Sequence, residues 1–262
     1  MKTNRIQRQT AILERLREQK SVSVQGLAQE FKVSVMTIHR DLRQLDDEGY
    51  VSKQHGGAMI ANRFAFSHTN PDRSHLNMAA KKAIGAFAAK HLVNPEDDSL
   101  IIDSGSTTLA FVQELPDVPI NVMLSSLPAL LALSERQHLR VHALGGKLEH
   151  DLMAFEGTIA HDILKSCHFS KAFIGTNGID IHAGFTTANT ANAQLTRLMA
   201  EQAKEVYVLA DFSKFHQRAF ASIMHFDHIT GVVTDQRVPD EFRQLFDRHR
   251  IQLFEVDHHH EN

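Results

Sequence analysis

Cysteine is almost missing from this sequence: Cys167 stands alone, which excludes an internal disulfide and fits a reducing compartment. The run Lys165-Ser166-Cys167-His168 carries no nucleophile signature, so a structural thiol is expected there. Long apolar runs are missing too, none approaching the ~20 residues that span a bilayer. Residues 1–10 lack the apolar core of a signal peptide. A cytoplasmic protein with no membrane partner is therefore expected. Metal-ligand sets are absent despite 18 histidines. Only His258-His259-His260 cluster, and His225 and His228 have helical zinc spacing without the cysteines or carboxylates that complete a site. No metal, no cofactor and no catalytic residue is assigned.

What is present is an ordinary globular composition, 42% hydrophobic and 23% charged, on a chain long enough for two domains. The net charge of -3 hides an asymmetry. Residues 1–60 hold 10 basic against 7 acidic side chains, leaving the remainder acidic. A mildly basic module on an acidic body fits a nucleic-acid reader joined to something else.

The basic module is organised around Val33-Ser34-Val35-Met36-Thr37-Ile38-His39-Arg40-Asp41-Leu42. Ser34 suits an N-cap, and Ile38, Leu42 and Leu45 recur at helical spacing on one buried face. Hydroxyls, a histidine and guanidinium groups are left on the other faces, as base-edge and phosphate reading requires. An ordinary amphipathic surface helix shows the same periodicity. Upstream, residues 5–19 read as a helix with Ile6, Ile12, Leu13 and Leu16 inward and basic residues outward, and Gln25–Phe31 as a second short helix. Together they predict a helix-turn-helix over about residues 22–41. After Gly49, an extended piece ending in Gly56-Gly57 predicts a hairpin wing, from which Lys53 and His55 reach phosphates or the minor groove.

At this point the run Val33-Ser34, Thr37 to Leu42, Leu45, Gly49 and His55-Gly56-Gly57-Ala58 resembles the DeoR/GlpR family of bacterial transcriptional regulators. That family usually carries two arginines before the aspartate, and here His39 takes the first place. The resemblance implies double-stranded operator DNA as a partner. Ser34, Thr37, His39 and Arg40 then read the groove, Met36 meets a thymine methyl, and Arg43, Lys53 and His55 lie on the backbone.

Residues 61–78 have no sustained period and read as a linker. Residues 79–256 form a second domain before a polar tail, 257–262. Ala79–Leu92 is an alanine-rich helix. A short buried strand is expected at 99–103, and further strands at 120–124, 139–143, 171–174, 206–210, 229–233 and 252–254, with helical stretches between most of them. The fold class is α/β: a winged helix-turn-helix, residues 1–60, joined to a Rossmann-like domain with a mainly parallel sheet.

Ligands of open α/β sheets bind beyond the carboxyl ends of the strands, and polar residues concentrate there. Asp103-Ser104-Gly105-Ser106-Thr107-Thr108 joins a strand to a helix, with small residues and hydroxyls for an anion at the helix N-terminus. Gly145-Gly146, Thr176-Asn177-Gly178 and Lys214 follow three further strands, and the set is expected to form a sugar-phosphate pocket with Lys214 facing phosphate. Taken alone, these last three are also a glycine-permitted turn, a hairpin and a solvated lysine. The resemblance extends over this domain, implying a fold related to ribose-phosphate isomerases and CoA-transferases, and covers about residues 5–256. The chain departs from the family's Thr-Asn-Ser at Leu124-Ser125-Ser126, from its acidic pair at Ala191-Asn192, and from a glycine at His216.

The reading is a repressor of a carbohydrate-use operon, released by a phosphorylated sugar and working as a homo-oligomer, dimer or tetramer. The alternative is a sugar-phosphate isomerase or transferase on the same fold, with Asp103 and Asp180 available as bases.

Overall fold

Ser23 and Ser34 start the two helices of the N-terminal unit. The Ser23 hydroxyl accepts from the Gly26 N–H at 3.0 Å and the Ser34 hydroxyl from the Thr37 N–H at 3.1 Å, which the Ser34 carbonyl shares at 2.9 Å, as N-cap side chains do for first-turn amides. Helix α1 (Val24–Glu30) and helix α2 (Val35–Asp47) follow. In this computed structural model the described residues are 8, 9, 11, 12, 15, 16, 21–47, 51–54, 57–60, 77–235 and 238–257, with backbone alone at 47, 52–54, 59 and 60. The chain divides into two units, Met1–Asn77 and Met78–Asn262.

Three short antiparallel strands complete the first unit: β1 (Ser21–Ser23), β2 (Val51–Gln54) and β3 (Gly57–Ile60), ordered β1-β3-β2. The β2–β3 pair is the expected wing. Ile12, Leu16, Val24, Leu27, Ile38, Leu42 and Leu45 form its core. Residues 8, 9, 11, 12, 15 and 16 are helical; Ile6 and Leu13 lie outside the described residues. One expectation is corrected. Arg8 does not face outward: it is 7% exposed, and its Nε lies 2.5 Å from Oδ2 of buried Asp41 on α2. A charge buried this far needs a counter-charge in reach, and Gln9 adds a 2.8 Å bond to Gln44 beside it.

The second unit is a seven-stranded sheet covered on both faces. Its strands are β4 (Ser99–Ile102), β5 (Asn121–Leu124), β6 (Arg140–Ala143), β9 (Phe169–Ile174), β12 (Ala203–Leu209), β14 (Gly231–Thr234) and β15 (Gln252–Glu255), in the spatial order β15-β14-β12-β9-β4-β5-β6. Every pairing is parallel. Side chains alternate between two cores, as the pleat demands. Leu100, Ile102, Val122, Leu124 and Phe173 enter one, while Ile101, Met123, Ala172 and Ile174 enter the other. On the first face lie α3 (Met78–His91), α4 (Ser106–Gln113) and α5 (Leu127–Leu133); on the second, α6 (Thr158–Lys165), α7 (Thr190–Glu201) and α8 (Asp240–His249). All seven expected strands are the seven of this sheet. Five shorter ones were not expected: β7 (Lys147–Glu149) pairs with β8 (Ala154–Glu156), and β10 (Gly178–Asp180), β11 (Gly184–Thr187) and β13 (Ala221–Met224) make a small antiparallel sheet. No helix among the described residues is long and apolar enough to cross a membrane.

Gly85 sets how α3 meets α4. A Cβ there would stand 2.6 Å from the Phe111 nitrogen and 2.7 Å from the Ala110 carbonyl carbon, both backbone atoms that cannot swing aside. Gly85→Ala is expected to lower stability by about 1–3 kcal/mol, although alanine is the better helix former. Chemical denaturation of the two proteins measures it, and a stabilised variant would mean that the helices separate freely.

Candidate functional sites

The first site is the free face of α2. At 100° per residue, Ile38, Asp41, Leu42 and Leu45 fall on one side and are all buried, while Met36, His39, Arg40 and Arg43 fall on the other and are all exposed. Met36 is 77% exposed and Val35 45%, an unusual apolar display at a helix start. Base edges carry both donors and a thymine methyl, so a face mixing methionine, histidine and arginine suits them. Ser34 and Thr37 stand differently from the expectation. Their hydroxyls bond each other at 2.9 Å and Ser34 also caps the helix, so part of their capacity is spent on the fold. The Lys53 side chain and His55 lie outside the described residues.

The second site follows from strand order. Strand β4 enters the sheet first; β5 and β6 extend it one way, and β9, β12, β14 and β15 the other. The order therefore reverses between β4 and β9, the topological switch point beyond which a crevice opens. Asp103 to Thr108 leave β4 there and Gly175 to Gly178 leave β9. The two loops touch: a Cβ on Gly175 would stand 3.6 Å from the Ser104 oxygen. Gly105 occupies the N-cap of α4 with no side-chain capping bond, leaving first-turn amides for an anion. Thr107 and Thr108 are buried, and the Thr108 hydroxyl donates to the Gly105 carbonyl at 3.1 Å.

Asp103 is the electrostatic centre. It is 3% exposed, and burial pushes its carboxyl up to about 6 against the opposing effect of bonds from the Ser104 N–H, the Thr196 hydroxyl and the Gly175 backbone. The Thr196 bond, 3.2 Å, comes from α7. Sequence reading missed Thr196; its signal was a hydroxyl on the buried face that α7 shares with Ala193, Met199 and Ala200.

Other expected residues divide. The Thr176 hydroxyl is taken up by the Gly178 and Thr186 carbonyls at 2.8 and 2.9 Å, holding the β10–β11 hairpin. The Asn177 Oδ1 accepts from Thr187 at 3.2 Å, and Thr187 also reaches Asn192 at 2.7 Å. Lys214 lies one strand farther, its Nζ 3.7 Å from Oδ2 of buried Asp211. Gly145 and Gly146 follow β6, two strand spacings or ~10 Å from β4, and open the β7–β8 hairpin with φ of 74° and 101°. Asp180 is engaged by Arg218 at 2.7 Å, which holds its carboxyl down at about 2, and it also accepts from the His182 and Ala183 N–H groups. That leaves it unsuited to take a proton near neutrality.

A cavity of about 450 Å³ lies at the opposite edge, lined by Glu201, Lys204, Asp227, His228 and Thr230 among others. It is open, and it sits at the amino ends of β12 and β14, where the strand-end rule places no ligand. Among the described residues no group of three or more His, Cys, Asp or Glu is placed to hold a metal ion.

Comparison with known proteins bears on both sites. Residues 8–64 match the family described as DeoR-like helix-turn-helix domain, and residues 76–236 the DeoR C terminal sensor domain. A putative aga operon transcriptional repressor of Escherichia coli O157:H7 is 32% identical over 240 residues, covering 90% of this chain and 88% of its own. An uncharacterized HTH-type transcriptional regulator of Bacillus subtilis is 30% identical over 243 residues, covering 92% and 93%. Among solved structures, the sorbitol operon regulator of Klebsiella pneumoniae superposes with a TM-score of 0.42 at 14% identity, covering 93% of this chain and 99% of that one.

Proposed function

Since this chain belongs to the DeoR family of helix-turn-helix transcriptional regulators, we propose that it represses a carbohydrate-use operon and leaves its operator when a phosphorylated sugar fills the switch-point crevice. It is a DNA-binding transcriptional regulator, not an enzyme. The observation that carries the effector reading is the uncapped first turn of α4 beside buried Asp103. Backbone amides suit a phosphate, and a carboxyl with three donors around it suits a sugar hydroxyl. Repression of an operon is supported by the name of the E. coli relative, a putative aga operon transcriptional repressor.

On DNA, Met36, His39 and Arg40 reach base edges and Arg43 a phosphate. One small reading head covers few base pairs, so a symmetric dimer or tetramer places two heads on paired half-sites. The sugar acts by binding better to the arrangement that does not fit the operator, and a few kcal/mol of differential affinity suffices.

The promoter upstream of its own gene is the natural first probe. Arg40→Ala is expected to weaken the shift of that fragment by about tenfold or more, the loss of one base contact at ~1–3 kcal/mol. A sugar phosphate that binds the protein is expected to release the fragment. If footprints stayed unchanged under every sugar phosphate that binds, the proposed mechanism would be wrong.

A further inference from the structure

Ser125 is fully buried, and its hydroxyl has no hydrogen-bond partner among the described residues. Burying such a group unpaired is costly, and serine is small enough to be replaced by alanine wherever the hydroxyl has no use. Its place is specific. Strands β4 and β5 pair Ile102 with Leu124, so Asp103 and Ser125 stand next to each other one step beyond, at the carboxyl ends. Ile101 and Met123 both enter the core beneath α6 and α7, and the two-residue period sends Asp103 and Ser125 to that same face. The Thr196 bond to Asp103 confirms the side. The neighbouring Ser126 hydroxyl, by contrast, is spent capping α5 through the Ala129 N–H.

The β7–β8 hairpin is tied to the backbone of the same segment. The Phe155 N–H donates to the Ser125 carbonyl at 2.7 Å, the Leu127 N–H donates to the Met153 carbonyl at 2.9 Å, and Ser126 bridges to Ala154. Met153 holds a left-handed φ of 49°, which a side chain longer than glycine adopts at a cost of about 1 kcal/mol or more. A hairpin with a strained turn is thus pinned to the segment that carries an unsatisfied hydroxyl, on the strand next to a buried carboxyl.

We propose that the Ser125 hydroxyl is a binding group of the crevice, donating to or accepting from a hydroxyl of the phosphorylated sugar, and that the β7–β8 hairpin lifts to admit it. This inference rests on the sugar-phosphate reading and adds a residue and a contact to it. Asp103 and Ser125, one acceptor and one group able to play either part, match a vicinal pair of sugar hydroxyls.

The test uses the full chain and calorimetry with glucose 6-phosphate, fructose 6-phosphate, ribose 5-phosphate and glycerol 3-phosphate, with inorganic phosphate as the headgroup alone. Ser125→Ala is expected to weaken the sugar phosphate that binds best by about 3–10-fold, the worth of one neutral hydrogen bond, and to leave inorganic phosphate within twofold. That sugar phosphate is also expected to slow amide exchange at Phe155 in the unaltered protein and to slow it less in Ser125→Ala. Equal affinities for every probe in both proteins, with Ser125→Ala as stable or more stable, would overturn the inference and leave the effector reading intact. If none of the four phosphate esters bound the unaltered protein, the effector reading would fall and this inference with it.

Discussion

Asp41→Ala is expected to melt the N-terminal unit and abolish operator binding, although Asp41 touches no DNA in this reading. Its carboxylate is 1% exposed and holds Arg8, whose side chain is 8% exposed, at 2.5 Å. Removing the acid takes the counter-charge from a buried guanidinium, and breaking a buried pair this way costs about 3–5 kcal/mol. A domain is stable by only ~5–15 kcal/mol in total, and this reading head is small. The pair also ties the first helix to α2 on the side opposite Met36, His39, Arg40 and Arg43, so its loss frees the reading face to tilt. The double variant Arg8→Met with Asp41→Leu separates the causes. If the stranded charge is responsible, the double variant recovers most of the stability, and thermal unfolding followed alongside promoter binding reads both. An Asp41→Ala protein that melts like the unaltered one would mean that Arg8 finds water or another acceptor, and the pinning argument would fail.

Asp41 also shows where sequence reading stops. The period of Ile38, Leu42 and Leu45 located the helix, and the Ser34 cap located its start, because these signals act within one or two turns. The sheet strands were legible as short runs of strand-forming residues between turns: the inner five carry buried apolar stretches, whereas the edge strands β6 and β15 are exposed or half-buried. The ion pair joins residues 33 apart, and nothing local at Arg8 distinguishes a buried arginine from a solvated one. The five short strands are legible only through their partners; β11 meets β13 with Thr186 against Ser222, and neither has length enough to alternate. In the crevice, the Gly105 turn was readable as loop chemistry, and the meeting of β4 with β9 was not. Strand order decides that Asp103 faces Gly175 and Thr196, and that Gly145 and Lys214 stand apart. Thr176 was readable as a polar residue at a strand end, yet its hydroxyl serves a hairpin that only the pairing of β10 with β11 creates.

Asp103→Asn is expected to stabilise the protein at neutral pH while weakening its hold on a sugar phosphate. Burial raises the carboxyl from its ordinary 3.8 to about 6, so the folded state resists the ionised form. The sign follows: below about pH 4 the acid is protonated in folded and unfolded chains alike and costs nothing, and the penalty grows as pH rises to 6, then stays constant. About two units at ~1.4 kcal/mol each give a penalty of roughly 3 kcal/mol at pH 7. Asparagine avoids the charge but offers one acceptor where Ser104 and Thr196 use two oxygens, so the net gain is expected near 1–2 kcal/mol. The difference between variant and parent is the quantity to measure, by urea unfolding at pH 4, 5, 6 and 7. Asp117 and Asp180, both held at about 2, act in the opposite sense in acid and cancel in that difference. It should rise from nothing, or slightly below, at pH 4 to its full value by pH 6 to 7. A difference that stays flat across that range would show that Asp103 does not titrate there, and its ionised form would then be compensated by a neighbour. A rising difference joined to weaker sugar-phosphate binding would mean that the fold keeps a destabilising acid for its ligand, the trade expected where a site needs an acceptor that the core alone does not favour.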